Sequence, residues 1–202
     1  GVRVQESYYD LIAGSRKVIK DPKSATQNHF YATDLWTNYL SRVQDVLPEN
    51  IILYGELVGF TDDGAPIQKG HTYGELPGRH SLYVYRISII TNGGDLWDLS
   101  WEQVKYFCKT RGLSYTPELW RGKKSEFVLE NFEEKAFHNG SYSEVAVPLS
   151  PGGTGADEGI VIRVDREGQV PALYKFKNKS HYLYETAILD SGEIDLESEE
   201  SV

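Results

Sequence analysis

The chain contains no methionine, a single cysteine and no apolar run of membrane-spanning length. With Cys108 alone, no internal disulfide can form, and nothing calls for an oxidising compartment. No stretch approaches the ~20 apolar residues a membrane helix needs, and no signal peptide opens the chain, so a cytoplasmic protein without membrane contact is expected. The start at Gly1 and the lack of Met predict a processed or truncated fragment. The sequons at Asn139 and Asn178 carry no weight without a secretory signal. No Gly-Lys-Ser/Thr follows a glycine run, which removes the Walker-type phosphate loop. Gly152-Gly153-Thr154-Gly155 lacks the flanking strand and helix of a dinucleotide fold. The five histidines (His29, His71, His80, His138, His181) share no ligand spacing with one another or with Cys108, which argues against zinc. No local signature supports a Cys-His nucleophile.

What is present fits one globular domain: 202 residues, 40% hydrophobic and 25% charged. The net charge of −9 is unevenly spread, because Asp190 to Val202 holds six acids and no base; removing those six leaves −3 for the body. Unspecific duplex coating is thereby disfavoured, but a site needs only local positive charge. The division expected is a domain over 1–189 and an acidic, disordered tail over 190–202.

Periodicity predicts an α+β fold with antiparallel sheets, since few strand–helix–strand units occur. Val2 to Tyr8 alternates as a half-buried strand that Leu11 to Ser15 can join as a hairpin. Phe30 to Leu47 has helical spacing, with Asn28 or Thr33 as its cap. Ile51 to Phe60 reads as a buried strand, Thr61 to Arg79 as a long loop or a hairpin excursion, and Leu82 to Ile90 as the strongest strand. Ser100 and Gln103 form a capping-box pattern, Gly112 is a stop signal, and the helix between them should turn Val104, Phe107 and Cys108 to the core. Ser125 to His138 predicts a further short helix. Leu149 to Ala156 is a loop. Gly159 to Val164 and Ala172 to Lys177 predict strands joined at Glu167-Gly168.

Three strand segments carry charges the strands do not need. In Tyr54-Gly55-Glu56-Leu57-Val58-Gly59, a carboxylate within an apolar strand costs several kcal/mol unless it is hydrogen-bonded, and ribose hydroxyls would supply such bonds. Taken alone, Glu56 reads more readily as a solvent-facing strand end. In Asp157-Glu158-Gly159-Ile160-Val161-Ile162-Arg163, a carboxylate enters a β-branched strand from a glycine-rich loop; Glu158 suits Mg²⁺, or an ordinary loop junction. In Tyr174-Lys175-Phe176-Lys177, two ammonium groups share one strand face. They repel unless an anion such as a triphosphate lies between them, or else guard a solvated edge strand.

Together, in this order, the segments resemble the covalent nucleotidyltransferase superfamily of ATP-dependent DNA ligases, RNA ligases and mRNA capping enzymes. Tyr54 to Gly59 looks like its motif III, Glu158 to Arg163 like motif IV, and Lys175-Phe176-Lys177 like motif V. Gly1-Val2-Arg3 fits the end of motif I, which would put the nucleophilic lysine three positions before Gly1. Ser15-Arg16 resembles motif Ia. Leu82 to Ile87 resembles motif IIIa, with Arg86 where the family usually has an acid. Ser100 to Gly122, ending Pro117-Glu118-Leu119-Trp120-Arg121-Gly122, looks more like RNA ligases than DNA ligases.

The resemblance implies an ATP-grasp-like nucleotidyltransferase fold with helices flanking the sheets. It implies an ATP-dependent RNA ligase that uses Mg²⁺ or Mn²⁺ and joins a 5′-phosphate to a 3′-hydroxyl through a lysine–AMP intermediate. Gly1, Arg3 and Arg16 would line the nucleotide and phosphate, Glu56 would accept from ribose, Tyr85 (or Tyr83, two residues away) would stack on adenine, Glu158 would bind the metal, and Lys175 and Lys177 would neutralise the α-phosphate. A DNA ligase or capping guanylyltransferase is the near alternative, and a non-catalytic nucleotide- or RNA-binding relative the distant one.

Overall fold

A computed structural model describes residues 11–14, 19–20, 35–68, 72–132, 158–166, 169–179, 182–183 and 186. It is mixed α and β, and all the named strand pairs are antiparallel, as periodicity predicts. Two short strands, β1 (Ala13–Gly14) and β2 (Ile19–Lys20), pair with each other. Helix α1 (Leu35–Val43) is followed by a 3-10 turn at Gln44–Val46. The main sheet has the order β3–β4–β5, from Ile51–Gly59, His80–Ile90 and Leu96–Asp98. Helix α2 (Trp101–Arg111) follows, and a separate hairpin joins β6 (Gly159–Val164) to β7 (Ala172–Lys177). The strand proposed for Val2 to Tyr8, the caps Asn28 and Thr33, the Leu149 to Ala156 loop and the tail after Asp190 lie outside the described residues. Among the described residues, no helix is long and apolar enough to cross a membrane.

The core lies between one face of the main sheet and the two helices. Leu57, Leu82, Val84 and Ile87 meet Leu35 of α1 and Val104, Phe107 and Cys108 of α2, with Leu113 beyond it. The boundaries of α2 follow from local chemistry. The Ser100 side chain accepts from the Gln103 N–H, and the Gln103 side chain accepts from the Ser100 N–H, which satisfies two orphan donors. Gly112 ends the helix at φ 67°, where a side chain would be strained.

Two expectations need correction. Ser125 to His138 does not form an α-helix in its described part; 3-10 turns occupy Lys124–Glu126 and Leu129–Phe132. Stacking of Phe127 on Phe132 at 5.4 Å and packing of Trp120 on Phe127 at 5.3 Å replace helical periodicity with a local aromatic cluster. The Ile51 to Phe60 strand is only partly buried: Leu57, Val58 and Gly59 are covered, while Glu56 is exposed. The desolvation cost expected for Glu56 is therefore not incurred.

The site is shaped by an irregularity in β4. Gly55 pairs with Val84 and Tyr54 with Arg86, so Tyr85 is the extra residue of a β-bulge. An extra residue drops out of the ladder and shifts the side-chain alternation by one. Leu82 and Val84 face the core before the bulge, and Ile87 faces it afterwards. The opposite face consequently carries Glu56 directly across from Tyr83, then Tyr54 across from Arg86, then Ile52 across from Ser88.

Candidate functional site

Two strand surfaces carry the residues singled out in the sequence. The first is the non-core face of the main sheet. Glu56 lies there opposite Tyr83, while Tyr85 occupies the bulge and is 43% exposed. On the core side of the same strands the approach is close: a Cβ on Gly55 would come within 2.8 Å of the Leu82 side chain and 2.9 Å of the Tyr83 carbonyl. Glycine is the residue that permits that contact.

Arg86, where the resembled family usually has an acid, is held by a carboxylate from a neighbouring strand. Its guanidinium donates to both oxygens of Asp98 on β5, at 2.8 and 2.9 Å, and lies 4.7 Å from the Tyr54 ring centroid. The Asp98 side chain is 3% exposed and also accepts from the Ser88 hydroxyl. Burial pushes the Asp98 carboxyl up, but hydrogen bonds from Arg86 and Ser88 outweigh it and hold the group below its ordinary value. The Asp98 bond in turn raises Arg86, with the nearby Tyr54 and Tyr85 adding to the effect.

The second surface is the β6–β7 hairpin. The register pairs Gly159 with Lys177, Val161 with Lys175 and Arg163 with Leu173, so Lys175, Lys177 and Arg163 share one face. Glu158, immediately before β6, forms an ion pair with Lys175, and its carbonyl accepts from the Asn178 N–H at 2.9 Å. Gly159 is required at the junction: φ is 134°, and a Cβ would lie 2.0 Å from the Phe176 carbonyl oxygen. The hairpin thus brings Glu158, Lys175 and Lys177 together. The positive charges expected from the lysine pair are partly answered by Glu158 itself.

Arg163 joins the two surfaces. Its Nη1 donates to the Tyr85 carbonyl at 3.3 Å and its Nη2 to the Leu99 carbonyl at 2.7 Å. Its Nε donates to Asp165 at 2.6 Å, and Asp165 accepts from the Trp101 N–H at the start of α2, at 2.7 Å. Neither Arg163 nor Asp165 was singled out for a role by sequence reasoning, nor was Asp98. The one signal was the Arg-x-Asp spacing at the end of β6.

Gly1, Arg3 and Arg16 lie outside the described residues. Among the described residues, no group of three or more His, Cys, Asp or Glu side chains is arranged to hold a metal ion. Cys108 is fully buried and its thiol is pushed up to about 11, which makes it a poor nucleophile. The segment Pro117 to Gly122 is held on α2 by a charge network. Lys105 bonds Glu102 at 2.9 Å and Glu118 at 3.0 Å, and Arg121 meets both acids.

This is an α+β protein in which a sheet face bearing a glutamate and tyrosines is linked by an arginine to a hairpin bearing a glutamate and two lysines. Compared with protein families, residues 1–178 match the family described as RNA ligase, and the chain belongs to that family. A comparison with curated proteins finds no match.

Proposed function

We propose that the chain is the nucleotide-binding part of an ATP-dependent RNA ligase that seals a 5′-phosphate to a 3′-hydroxyl through a lysine–AMP intermediate, in a nucleotidyltransferase fold of the ATP-grasp-like kind. The observation that carries this reading is the hairpin cluster of Glu158, Lys175 and Lys177, tied through Arg163 to the sheet strand bearing Tyr83 and Tyr85. The family match agrees with it.

Roles follow from the motif resemblance, and the chemistry of the described residues suits them. The exposed carboxylate of Glu56 suits ribose hydroxyls, which donate. Tyr85, exposed at the bulge, suits stacking on adenine. Lys175 and Lys177 on one face would neutralise charge building on the α-phosphate; such preorganised electrostatics is the main protein contribution to phosphoryl transfer. Gly1, Arg3 and Arg16 would line the phosphate and nucleotide, and the nucleophile would be a lysine three positions before Gly1.

Mg²⁺ or Mn²⁺ fits Glu158 as a single carboxylate ligand, since Mg²⁺ keeps several waters and takes the rest of its shell from substrate phosphates. When bound, the ion would offset phosphate charge. Glu158 would hold it in exchange for Lys175, and the freed ammonium would turn to the phosphate.

The test is substrate choice by the full-length protein. A nicked RNA duplex, a nicked DNA duplex and GTP in place of ATP are compared side by side. Sealing of RNA ends with ATP is expected. Preference for nicked DNA, or guanylylation with GTP, points to the ligase and capping relatives instead. Nucleotide binding without any joining makes the protein a non-catalytic relative.

A further inference from the structure

We propose that Arg163, braced by Asp165, is the positioning residue that fixes the separation between the two walls of the site, locking the hairpin's lysine face to the bulge that presents Tyr85. The functional consequence rests on the ligase reading; the mechanical role does not.

The bulge removes Tyr85 from the β3–β4 ladder, and the Tyr85 carbonyl there accepts from Arg163. On the other edge of β4, the neighbouring backbone positions are taken. Val84 exchanges bonds with Ser114 and Thr116, and the Ile87 carbonyl accepts from Leu99. Arg163 enters the gap between these contacts and donates to the Tyr85 and Leu99 carbonyls with different nitrogens. A guanidinium is a flat fork of five donors, so binding two carbonyls and one carboxylate at once defines its position and the strand that carries it. The side chain is 12% exposed, and its guanidinium carbon lies 5.7 Å from the Trp101 ring centroid, within cation–π range.

Asp165 completes the brace. One oxygen takes Arg163 Nε, and the other takes the Trp101 N–H, an orphan donor of the first turn of α2. Arg163 in β6 and Asp165 just after it therefore grip a bulge, the residue following β5 and a helix start. Lys175 and Lys177 leave the hairpin on the same face as Arg163, so their distance from Tyr85 and Glu56 is set where Arg163 grips. The Arg163 charge also reaches Asp98, which fixes Arg86 beneath Tyr54.

The separation is measured by pulsed electron paramagnetic resonance between nitroxides on Leu96→Cys in β5 and Tyr174→Cys in β7, both exposed. Native Cys108 is buried and stays unlabelled. Arg163→Met should broaden the distance distribution and Arg163→Lys should give an intermediate width, because an ammonium cannot span both carbonyls. Should Arg163→Met fail to fold, Arg163→Lys alone decides. Distributions matching the parent in every folded variant overturn the proposal.

In the full-length protein, Arg163→Lys should also raise KM for ATP roughly tenfold, as misplaced binding groups do. A residue that only stabilises the fold would lower the active fraction and leave KM unchanged, and that result overturns the positioning role. A parent protein that never takes label from ATP sinks the ligase reading, while the distance measurement still stands or falls by itself.

Discussion

Arg86 and Asp98 form a two-point ion pair across β4 and β5, with the carboxylate almost fully covered and the guanidinium stacked beneath Tyr54. This face of the main sheet is thus stiffened by a charge pair in which each member depends on the other. Removing one partner of such a pair leaves a buried charge unanswered, which is the expensive way to break it. Arg86→Met is expected to lower unfolding free energy by about 3 kcal/mol. The double variant with Asp98→Leu should recover part of the loss. Chemical denaturation measures both; a single variant within experimental error of the parent would remove the pair from any structural role.

Two glycines separate steric from conformational cost. Gly159 combines φ 134° with a clash on the Phe176 carbonyl, whereas Gly94 has φ 87° and open space. Gly94→Ala should cost about 1 kcal/mol of strain. Gly159→Ala should cost at least about 2 kcal/mol more, because the hairpin must shift. Equal losses would show that the β6–β7 contact at Gly159 is looser than described.

Stability should fall in mild acid because of His80. The ring is buried, donates from Nδ1 to the Phe60 carbonyl at 3.0 Å and meets Arg42 at Nε2. Burial and then the Arg42 charge hold its pKa below the ordinary value, against smaller opposing effects of Phe60, Asp62 and Glu75. The unfolded chain therefore binds the more protons. The stabilisation is complete above about pH 6.5 and is lost as pH drops through the lower folded value. Urea unfolding between pH 7.5 and 5 should show this slope, and His80→Asn should flatten it. A slope unchanged by the substitution assigns the effect to other groups.

Much of this architecture is legible in the sequence where short-range rules decide it. The capping box at Ser100, the stop at Gly112 and both hairpin strands follow from residues within a few positions of each other. The β4 bulge does not: Tyr85 is neither glycine nor turn-forming, and the extra residue is visible only against its partner strand. Strand β5 is three residues long and leaves no periodicity to detect. The expected helix after Ser125 gives way because Trp120, Phe127 and Phe132 pack together, a preference that outweighs local spacing. Candidate site residues were legible by family resemblance. Arg163 and Asp98 were not assigned roles because their partners lie on other strands.

Tyr83 and Tyr85 are distinguishable by the bulge. Tyr83 faces Glu56 in register, and Tyr85 stands out of the ladder at 43% exposure. Stacking on a base is worth about 1–3 kcal/mol by alanine replacement, so Tyr85→Ala should raise KM for ATP roughly 5- to 150-fold and Tyr85→Phe should restore it. The same pattern at position 83 instead would move the stacking role to Tyr83.

Covalent capture of AMP tests the whole account most directly. Full-length protein incubated with α-labelled ATP and Mg²⁺ should retain acid-labile label on a lysine three positions before Gly1. Glu56→Ala, Glu158→Gln, Lys175→Ala and Lys177→Ala should each reduce labelling on the order of 10²-fold while staying folded. A folded parent that takes up no label, or variants that label as fast as the parent, would contradict it.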